Sequence, residues 1–280
     1  MPDPGQPPVG GAADRVVAAA VELVHQRGLK VGLDGISLEE AIAASGVSRA
    51  TAYRRWPNRS DFLRHVLLRV VHDARLEPES DADIAAVRDR IATSRDSLVT
   101  EQGRRTLVVE SLRITTESDF RRLAGSRRWR DHLALRATCS SLPAGDLRDA
   151  VAAALHASER AFTEHRARVY SRLPGVLGYR LVPWLDASSG YTLMAATTGA
   201  LMVGLVGRAA IVPTGPAVQM RAFGSTERSP WTTQSYAITS AVLSFLEPDP
   251  DVVWDSARVD QTIALSYDLE AEARALRHDH

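Results

Sequence analysis

The chain has 280 residues, and its 34 basic and 34 acidic side chains give a formal net charge of zero. This balance excludes a global field that would attract nucleic acid or an anionic membrane, so any function that depends on positive charge must be local. Hydrophobic residues make up 45% of the chain, as in ordinary globular proteins of one large domain or two, and the single cysteine, Cys139, excludes an intrachain disulfide and favours the reducing cytoplasm.

The N-terminal residues 1–13 are predicted to form a flexible tail, because Met1–Gly11 carries four prolines and three glycines. A helical pattern starts at Asp14 and stops at Gly28, a natural residue after a helix end. Its apolar residues, at the i, i+3, i+4, i+7 spacing of one helix face, are Val17, Ala20, Val21 and Val24.

Two short helices are predicted next. Ser37 and Glu40 have the spacing of a capping box, in which a hydroxyl and a carboxylate each accept a hydrogen bond from a backbone N–H at a helix start. Gly46 is expected to end this helix in the left-handed conformation. Ser48 can cap the second helix, which Pro57 must stop.

A further helix is predicted after Asn58, which can cap it. The positions of this helix that have core spacing are Phe62, Leu63, Val66, Leu67 and Val70.

Two short helices joined by a tight turn form a helix-turn-helix, whose second helix can enter the major groove of DNA. Ala52 and Trp56 are four residues apart and are predicted to face the core. The outward positions are Arg49, Ala50, Thr51, Tyr53 and Arg54. Residues 48–60 hold four arginines and no acid, which suits contact with a phosphate backbone. The alternative is a solvated basic helix in an all-α enzyme.

The side chains of this cluster suit two kinds of DNA contact. An arginine such as Arg49 can read guanine through two parallel hydrogen bonds. Ser48 at a helix N-terminus, the Tyr53 hydroxyl and the guanidinium groups of Arg54 and Arg59 suit phosphates.

The segment from Asp14 to Leu68 resembles the DNA-binding domain of the tetracycline-repressor (TetR) family of transcriptional regulators. The resemblance lies in "AAAVELVHQRG" and "ISLEEAIAASGVSRATAYRRWPNRSDFL". The matching positions are Gly28, Ser37, Gly46-Val47-Ser48, Tyr53, Trp56 and Arg59. The sequence departs from the family pattern at Ala41-Ile42, where the family usually has Ile-Ala, and at Trp56 and Arg59, where Phe and Lys are more frequent.

The resemblance implies roles for single positions. Arg49, Ala50 and Thr51 correspond to base readers. Phosphate contacts are implied for Tyr53, Arg54, Arg59 and the two helix N-termini at Ser37 and Ser48. It also implies an all-α fold with a DNA-binding domain over 14–72 and a larger helical domain over 73–280 that dimerises and often binds a small molecule.

The remaining residues show helical spacing without clean two-residue alternation, so no β-hairpin is predicted. The predicted helices are Asp83–Glu101, Arg104–Thr116, Ser126–Ser140, Asp146–Leu173, Ser189–Ala210, Thr232–Leu246 and Trp254–Arg277, with breaks at prolines that include Pro174. The longest uncharged stretch, Ala187–Gly207, is interpreted as a buried helix of a soluble protein and not as a membrane span.

The Ser189–Ala210 helix is rich in small residues, which let helices approach closely. With Thr232–Leu246 it could form the four-helix bundle of a homodimer, or it could be the central core helix of the domain. An apolar ligand pocket is a second hypothesis, and ordinary core packing explains its residues equally well. These residues are Tyr170, Tyr179, Trp184, Tyr191 and Met194.

No catalytic motif or cofactor fingerprint is found, and no metal site is predicted because His156, Glu159 and His165 lack the usual spacing of ligands on a helix. The basic run Arg121–Arg130 is interpreted as a solvated face, with contact to DNA or to an acidic ligand as the alternatives.

The sequence therefore predicts a cytoplasmic, ligand-responsive repressor that binds double-stranded DNA at a near-palindromic operator as a homodimer. Its effector would be a largely apolar small molecule. The alternatives are an activator, an orphan regulator without a ligand, and a helical enzyme or scaffold with a vestigial helix-turn-helix.

Overall fold

The computed structural model describes residues 11–28, 33, 35–74 and 80–278, with backbone alone over 269–278. The all-α prediction is confirmed, since these residues form twelve α-helices and four strands of three residues each. The helices are α1 (Ala12–Arg27), α2 (Leu38–Ser45), α3 (Arg49–Arg55), α4 (Arg59–Asp73), α5 (Asp81–Thr93), α6 (Arg95–Val99), α7 (Glu101–Gly125), α8 (Arg127–Ser141), α9 (Asp146–Val176), α10 (Ala187–Ala209), α11 (Thr233–Leu243) and α12 (Ser256–His278). The strands are β1 (Tyr179–Leu181), β2 (Val218–Met220), β3 (Ser229–Trp231) and β4 (Leu246–Pro248).

The chain divides into two compact units. Unit 1 falls within Met1–Leu76 and Arg127–Arg160, and unit 2 within Glu77–Ser126 and Ala161–His280. Unit 1 includes α8 because Leu135 of this helix is buried in the core that the N-terminal helices form. The domain division at residue 73 stays a prediction, and the compact units do not follow it. Of the predicted tail, residues 1–10 lie outside the described residues, and α1 already begins at Ala12.

The predicted helix ends of unit 1 follow from local hydrogen bonds. Gly46 ends α2 in the left-handed region at φ 66°, as predicted. Ser48 caps α3 by accepting a hydrogen bond from the Thr51 N–H, and Asn58 caps α4 in the same way. All five core positions predicted for α4 are buried.

The predicted capping box of α2 is only half formed. Ser37 accepts a hydrogen bond from the Glu40 N–H at 3.3 Å, as predicted. The Glu40 carboxylate, however, is paired with Arg27 of α1. The Glu40 carboxylate therefore forms an ion pair with α1 instead of capping the start of α2.

In unit 2, α7 packs against α11, α5 packs against α12, and α10 packs against α11. The expectation of no β-hairpin is wrong for β2 and β3, which are consecutive in the chain and pair in antiparallel fashion. β1 also pairs with β4 in antiparallel fashion, but these strands are distant in the chain and do not form a hairpin. Strands of three residues are too short to show a two-residue period in the sequence. The predicted helix end at Leu246 is displaced for the same reason, since this residue begins β4.

Three other predicted helix boundaries are wrong. The helix predicted over Arg104–Thr116 is part of α7, which runs from Glu101 to Gly125. The helix predicted over Asp83–Glu101 is interrupted at Ser94, which separates α5 from α6. Pro174 does not stop α9, which continues to Val176. A proline so close to a helix end removes one backbone donor, and here its ring is buried.

The expectation that Ala187–Gly207 is a buried helix is wrong for one face of α10. Its buried residues are Gly190, Met194, Ala195, Thr198, Met202 and Val206. The opposite face is exposed within this chain, including Leu193, which is 51% exposed. Among the described helices, α10 is the one whose length and hydropathy would allow it to cross a membrane, a property that core helices of soluble proteins share.

Candidate nucleic-acid interface and ligand cavity

The recognition surface of unit 1 is defined here as the exposed side of α3 with the N-terminus that Ser48 caps. The inward side of α3 is fixed by Ala52 and Trp56, which are each 1% exposed, so the core role predicted for Trp56 is confirmed. The Trp56 ring meets the edge of Phe62 at a centroid distance of 5.6 Å. Val47 fills the corner between α2 and α3. This packing fixes which face of α3 remains available to a partner.

The outer face of α3 carries the side chains that the sequence assigned to DNA. The exposed ones are Ser48, Arg49, Ala50, Tyr53 and Arg54, with Arg59 exposed at the start of α4. Thr51 and Ser37 are half-buried. Thr51 donates its backbone N–H to the Ser48 hydroxyl, and Ser37 caps α2. Of the three predicted base readers, Arg49 and Ala50 are thus exposed at the start of α3, whereas Thr51 is only partly exposed.

Glu39 of α2 is a polar residue of this surface that the sequence reasoning missed. Its Oε2 lies 2.5 Å from Nη2 of Arg49, and its Oε1 accepts a hydrogen bond from the Tyr53 hydroxyl. The Tyr53 hydrogen bond lowers the pKa of Glu39, and the same bond raises the pKa of Tyr53. The only sequence signal was an acid in the first turn of α2, which capping preferences explain without α3.

The remaining arginines of the cluster differ in their local partners. Arg59 donates to the Leu33 carbonyl oxygen at 3.1 Å, which ties the start of α4 to the connection between α1 and α2. Arg55 lies 3.3 Å from a ring nitrogen of His65. Arg54 makes no hydrogen bond or ion pair within the described part of the chain. Local contacts therefore hold the guanidinium groups of Arg55 and Arg59, whereas that of Arg54 has no such contact in the described part of the chain.

Unit 2 contains a cavity of about 200 Å³ with mostly apolar walls. Of the predicted pocket residues, Tyr170, Tyr179 and Met194 line this cavity. Trp184 and Tyr191 do not line it, and Trp184 is 75% exposed because it lies in the turn after β1. Three of the five predicted pocket residues therefore line this cavity, and the other two do not.

A buried polar network runs along one side of the cavity. An Asp119 carboxylate oxygen of α7 lies 3.7 Å from the guanidinium of Arg166 on α9. Arg166 donates to the Tyr170 hydroxyl at 2.8 Å, and that hydroxyl lies 3.2 Å from the Thr198 hydroxyl of α10. The network joins α7 to α9 through an ion pair and α9 to α10 through a hydrogen bond.

The basic run Arg121–Arg130 is partly neutralised by acids on its own helices. Arg121 lies 2.9 Å from Glu117, and Arg122 lies 2.8 Å from Asp119. Over the residues whose side chains are described, no group of three or more His, Cys, Asp or Glu residues could hold a metal ion.

No protein-family model matches the chain, and no curated protein matches it either. Among solved structures, the chain is similar to NalD of Pseudomonas aeruginosa, described as the secondary repressor of the MexAB-OprM multidrug efflux pump. The two share 16% identity over 86% of this chain and 98% of that one, with a TM-score of 0.41.

Two further solved structures have the same degree of likeness. Reduced E. coli NemR shares 15% identity over 86% of this chain and 100% of that one, with a TM-score of 0.43. A TetR-family regulator from Agrobacterium tumefaciens shares 17% identity over 71% and 87%, with a TM-score of 0.39. In its helix-turn-helix motif, and among solved structures, this chain is similar to TetR-family transcriptional regulators.

Proposed function

We propose that the protein is a TetR-type transcriptional regulator of the cytoplasm, a ligand-responsive repressor that binds a near-palindromic operator as a homodimer. The observation that carries this proposal is the recognition surface. Its short helix is fixed by buried Ala52 and Trp56 and presents Ser48, Arg49 and Tyr53 outward. A helix presented in this way suits the major groove.

The proposed division of labour follows from side-chain chemistry. Arg49, Ala50 and Thr51, in the first turn of α3, are the base readers, since the N-terminal residues of a recognition helix reach base edges. Tyr53, Arg54 and Arg59 hold phosphates, together with the N–H groups at the helix starts that Ser37 and Ser48 cap. Glu39 competes with the DNA for Arg49 and Tyr53.

The proposed dimer interface is the exposed face of α10 with that of α11. Over Ala187–Ala209 and Thr233–Leu243 the only charged residue is Arg208. A Cβ added at Gly199, Gly204 or Gly207 would meet nothing within 4 Å. Each helical glycine costs about 1 kcal/mol relative to alanine, and packing within this chain does not require any of the three. Close packing of a second copy against α10 would explain why these three positions are glycine.

The proposed effector site is the cavity of unit 2. A ligand there would contact Tyr170, whose hydroxyl is hydrogen-bonded towards Thr198 of α10. Since α10 is also the proposed dimer helix, a ligand that binds one arrangement of this network better than another would shift the dimer between states.

The proposal is tested by incubating the purified protein with sheared DNA from its source genome at near-physiological salt and sequencing the retained fragments. One or a few enriched near-palindromes are expected. Uniform, salt-sensitive retention would favour the alternative of a helical scaffold with a vestigial helix-turn-helix. A reporter gene behind an enriched site then distinguishes a repressor from an activator.

Arg49→Ala and Arg59→Ala separate the two kinds of contact. Arg49→Ala should relax the preference at one half-site position, at a cost of about 1–3 kcal/mol. Arg59→Ala should weaken all sequences alike and lower the salt dependence by about one counterion. Arg69→Ala, an exposed arginine further along α4, is the matched control and should change neither. An unchanged base preference in Arg49→Ala would remove this residue from the readers.

A further inference from the structure

The cavity of unit 2 contains two buried polar groups that the polar network does not include. Asp83 of α5 and Ser111 of α7 are 8% and 7% exposed, and both line the cavity. Among the described residues, Asp83 Oδ2 and Ser111 Oγ have no hydrogen-bond partner. Both residues line the same cavity, Asp83 from α5 and Ser111 from α7, and these two helices pack against each other.

The other charged groups of the cavity wall have ion-pair partners or lie at the surface, although Arg166 Nε, like Asp83 Oδ2, has no hydrogen-bond partner among the described residues. Asp119 faces Arg166 at 3.7 Å, and Arg88 lies 2.6 Å from Asp89. Arg168 and Arg172 are exposed. Asp83 is therefore the buried acid of this wall for which no compensating cation is described.

Oδ2 of Asp83 has lost contact with water and gained no donor in exchange, and an unsatisfied buried acceptor carries a free-energy cost. A ligand that supplies a cationic donor would offset this cost. An ammonium group carries three N–H donors and a positive charge, so it can serve the carboxylate and a hydroxyl together. A ligand carboxylate at the same place would instead meet a like charge.

We propose that the cavity binds an apolar molecule with a protonated amine, whose nitrogen lies against Asp83 and Ser111 and whose hydrocarbon part lies along the apolar walls. This inference rests on the proposed function in one respect, because it names the chemical class of the effector. Binding of the amine itself requires no DNA and can be measured alone.

The test uses the full-length protein and three probes with the same hydrocarbon chain: octylamine, octan-1-ol and octanoate. Isothermal titration calorimetry at pH 7 should show octylamine binding at least about tenfold more tightly than octan-1-ol, and octanoate binding least. Asp83→Asn should remove the preference for the amine while octan-1-ol still binds, which shows that the cavity remains folded. Asp96→Asn, an exposed acid of α6 outside the cavity wall, is the matched control and should keep the preference.

Ser111→Ala provides a second variant and should weaken octylamine binding less than Asp83→Asn does, since it removes a neutral partner. Equal affinity for the three probes, tighter binding of octanoate, or an amine preference that survives in Asp83→Asn would overturn the inference.

Repeating the DNA retention with saturating octylamine separates this inference from the proposed function. Amine binding that depends on Asp83 but leaves DNA retention unchanged supports the ligand class and contradicts the ligand-responsive repressor. Enrichment of specific sites by a protein that does not bind octylamine contradicts the ligand class and leaves the regulator standing.

Discussion

Glu39 offers Arg49 and Tyr53 the same kind of acceptor that a DNA phosphate offers, an anionic oxygen. Arg49 and Glu39 are both substantially exposed, so water weakens their attraction, and the pair is readily exchanged for a stronger anion. In the proposed complex with DNA, the carboxylate would therefore have two effects. It subtracts one charge from the basic surface, and it holds the Arg49 side chain at the start of α3.

Glu39→Gln should raise the affinity for all DNA sequences by about threefold, because one repelling charge is removed from an exposed site. It should also narrow the gap between specific and non-specific DNA, since Arg49 loses the group that orients it. Fluorescence anisotropy with one specific and one scrambled duplex measures both changes. Glu40→Gln is the control on the same helix turn, where the carboxylate pairs with Arg27. Equal effects of the two variants would contradict the role of Glu39.

His132 of α8 is a buried titratable residue in unit 1, at 1% exposure. Burial lowers its pKa below the ordinary value, although Glu159 at 3.5 Å acts in the opposite direction. A histidine whose folded pKa is depressed stays neutral while the unfolded chain takes up a proton. The free energy of unfolding should therefore fall as the pH drops below about 6.5, the unfolded value.

The thermal unfolding midpoint should accordingly decrease between pH 8 and pH 5.5, and His132→Gln should flatten this decrease. The comparison concerns the slope, because loss of the ring stacked on Trp129 lowers the midpoint at every pH. Asp131, whose pKa burial raises, contributes in the opposite direction and is present in both proteins, so it cancels in the difference. Parallel pH profiles for the two proteins would exclude His132 as the titrating group.

At the scale of elements, the sequence predicted best what depends on neighbours in the chain. The caps at Ser48 and Asn58 and the left-handed Gly46 were predicted because each rests on hydrogen bonds or torsions within a few residues. Glu40 was assigned to the helix start and Glu39 was missed, because their partners lie ten or more residues away.

Packing between distant elements explains the other differences. Helix α8 belongs to unit 1 because Leu135 packs in a core whose residues lie mostly more than sixty positions earlier in the chain. The apolar composition of α10 predicted a helix but could not distinguish a buried face from an exposed one. The sequence did not predict that Asp83 and Ser111 line the cavity, because an acid on one helix and a serine on another form no recognisable sequence pattern.

The turn between α2 and α3 depends on the backbone of Gly46. A Cβ added there would meet nothing within 4 Å, so the cost of a side chain is conformational and not steric crowding. Gly46→Ala should lower the free energy of unfolding by about 1–2 kcal/mol, the cost of a left-handed conformation for an L-residue. Chemical denaturation measures this change.

Gly125→Ala is the control for the turn, because that glycine also has open space around it but has no left-handed torsion. It should be neutral or slightly stabilising at the end of α7. If Gly46→Ala were as harmless as Gly125→Ala, the turn would tolerate another conformation, and the position of α3 would not depend on this residue.

At the scale of the whole molecule, the proposed effector site and the proposed dimer interface both involve α10. Thr198 lies on the buried side of α10, in contact with the Tyr170 hydroxyl, whereas Ala196 and Ala200 lie on its exposed side. A change at the cavity and a change at the proposed interface thus act on opposite faces of the same helix. Because one rigid helix carries both faces, ligand binding and dimer geometry should be energetically coupled.

Ala200→Glu tests the interface without touching the cavity wall. In a two-fold symmetric dimer the new carboxylate would be buried beside its own copy, and burial of unpaired like charges costs several kcal/mol. Sedimentation equilibrium should therefore show a monomer, and affinity for a full palindrome should fall towards that for a half-site. The unfolding midpoint of the monomer should stay close to that of the parent chain, since Ala200 is exposed within one copy.

Ala152→Glu adds the same charge on an exposed position of α9 and should leave the dimer intact. A dimer that survives Ala200→Glu would exclude this face of α10 as the interface and would require another explanation for its glycines. A monomer that still binds the full palindrome with parental affinity would separate dimerisation from DNA recognition. The expected combination, loss of the dimer together with loss of full-site affinity, would show that DNA recognition by α3 depends on dimerisation through α10 and α11.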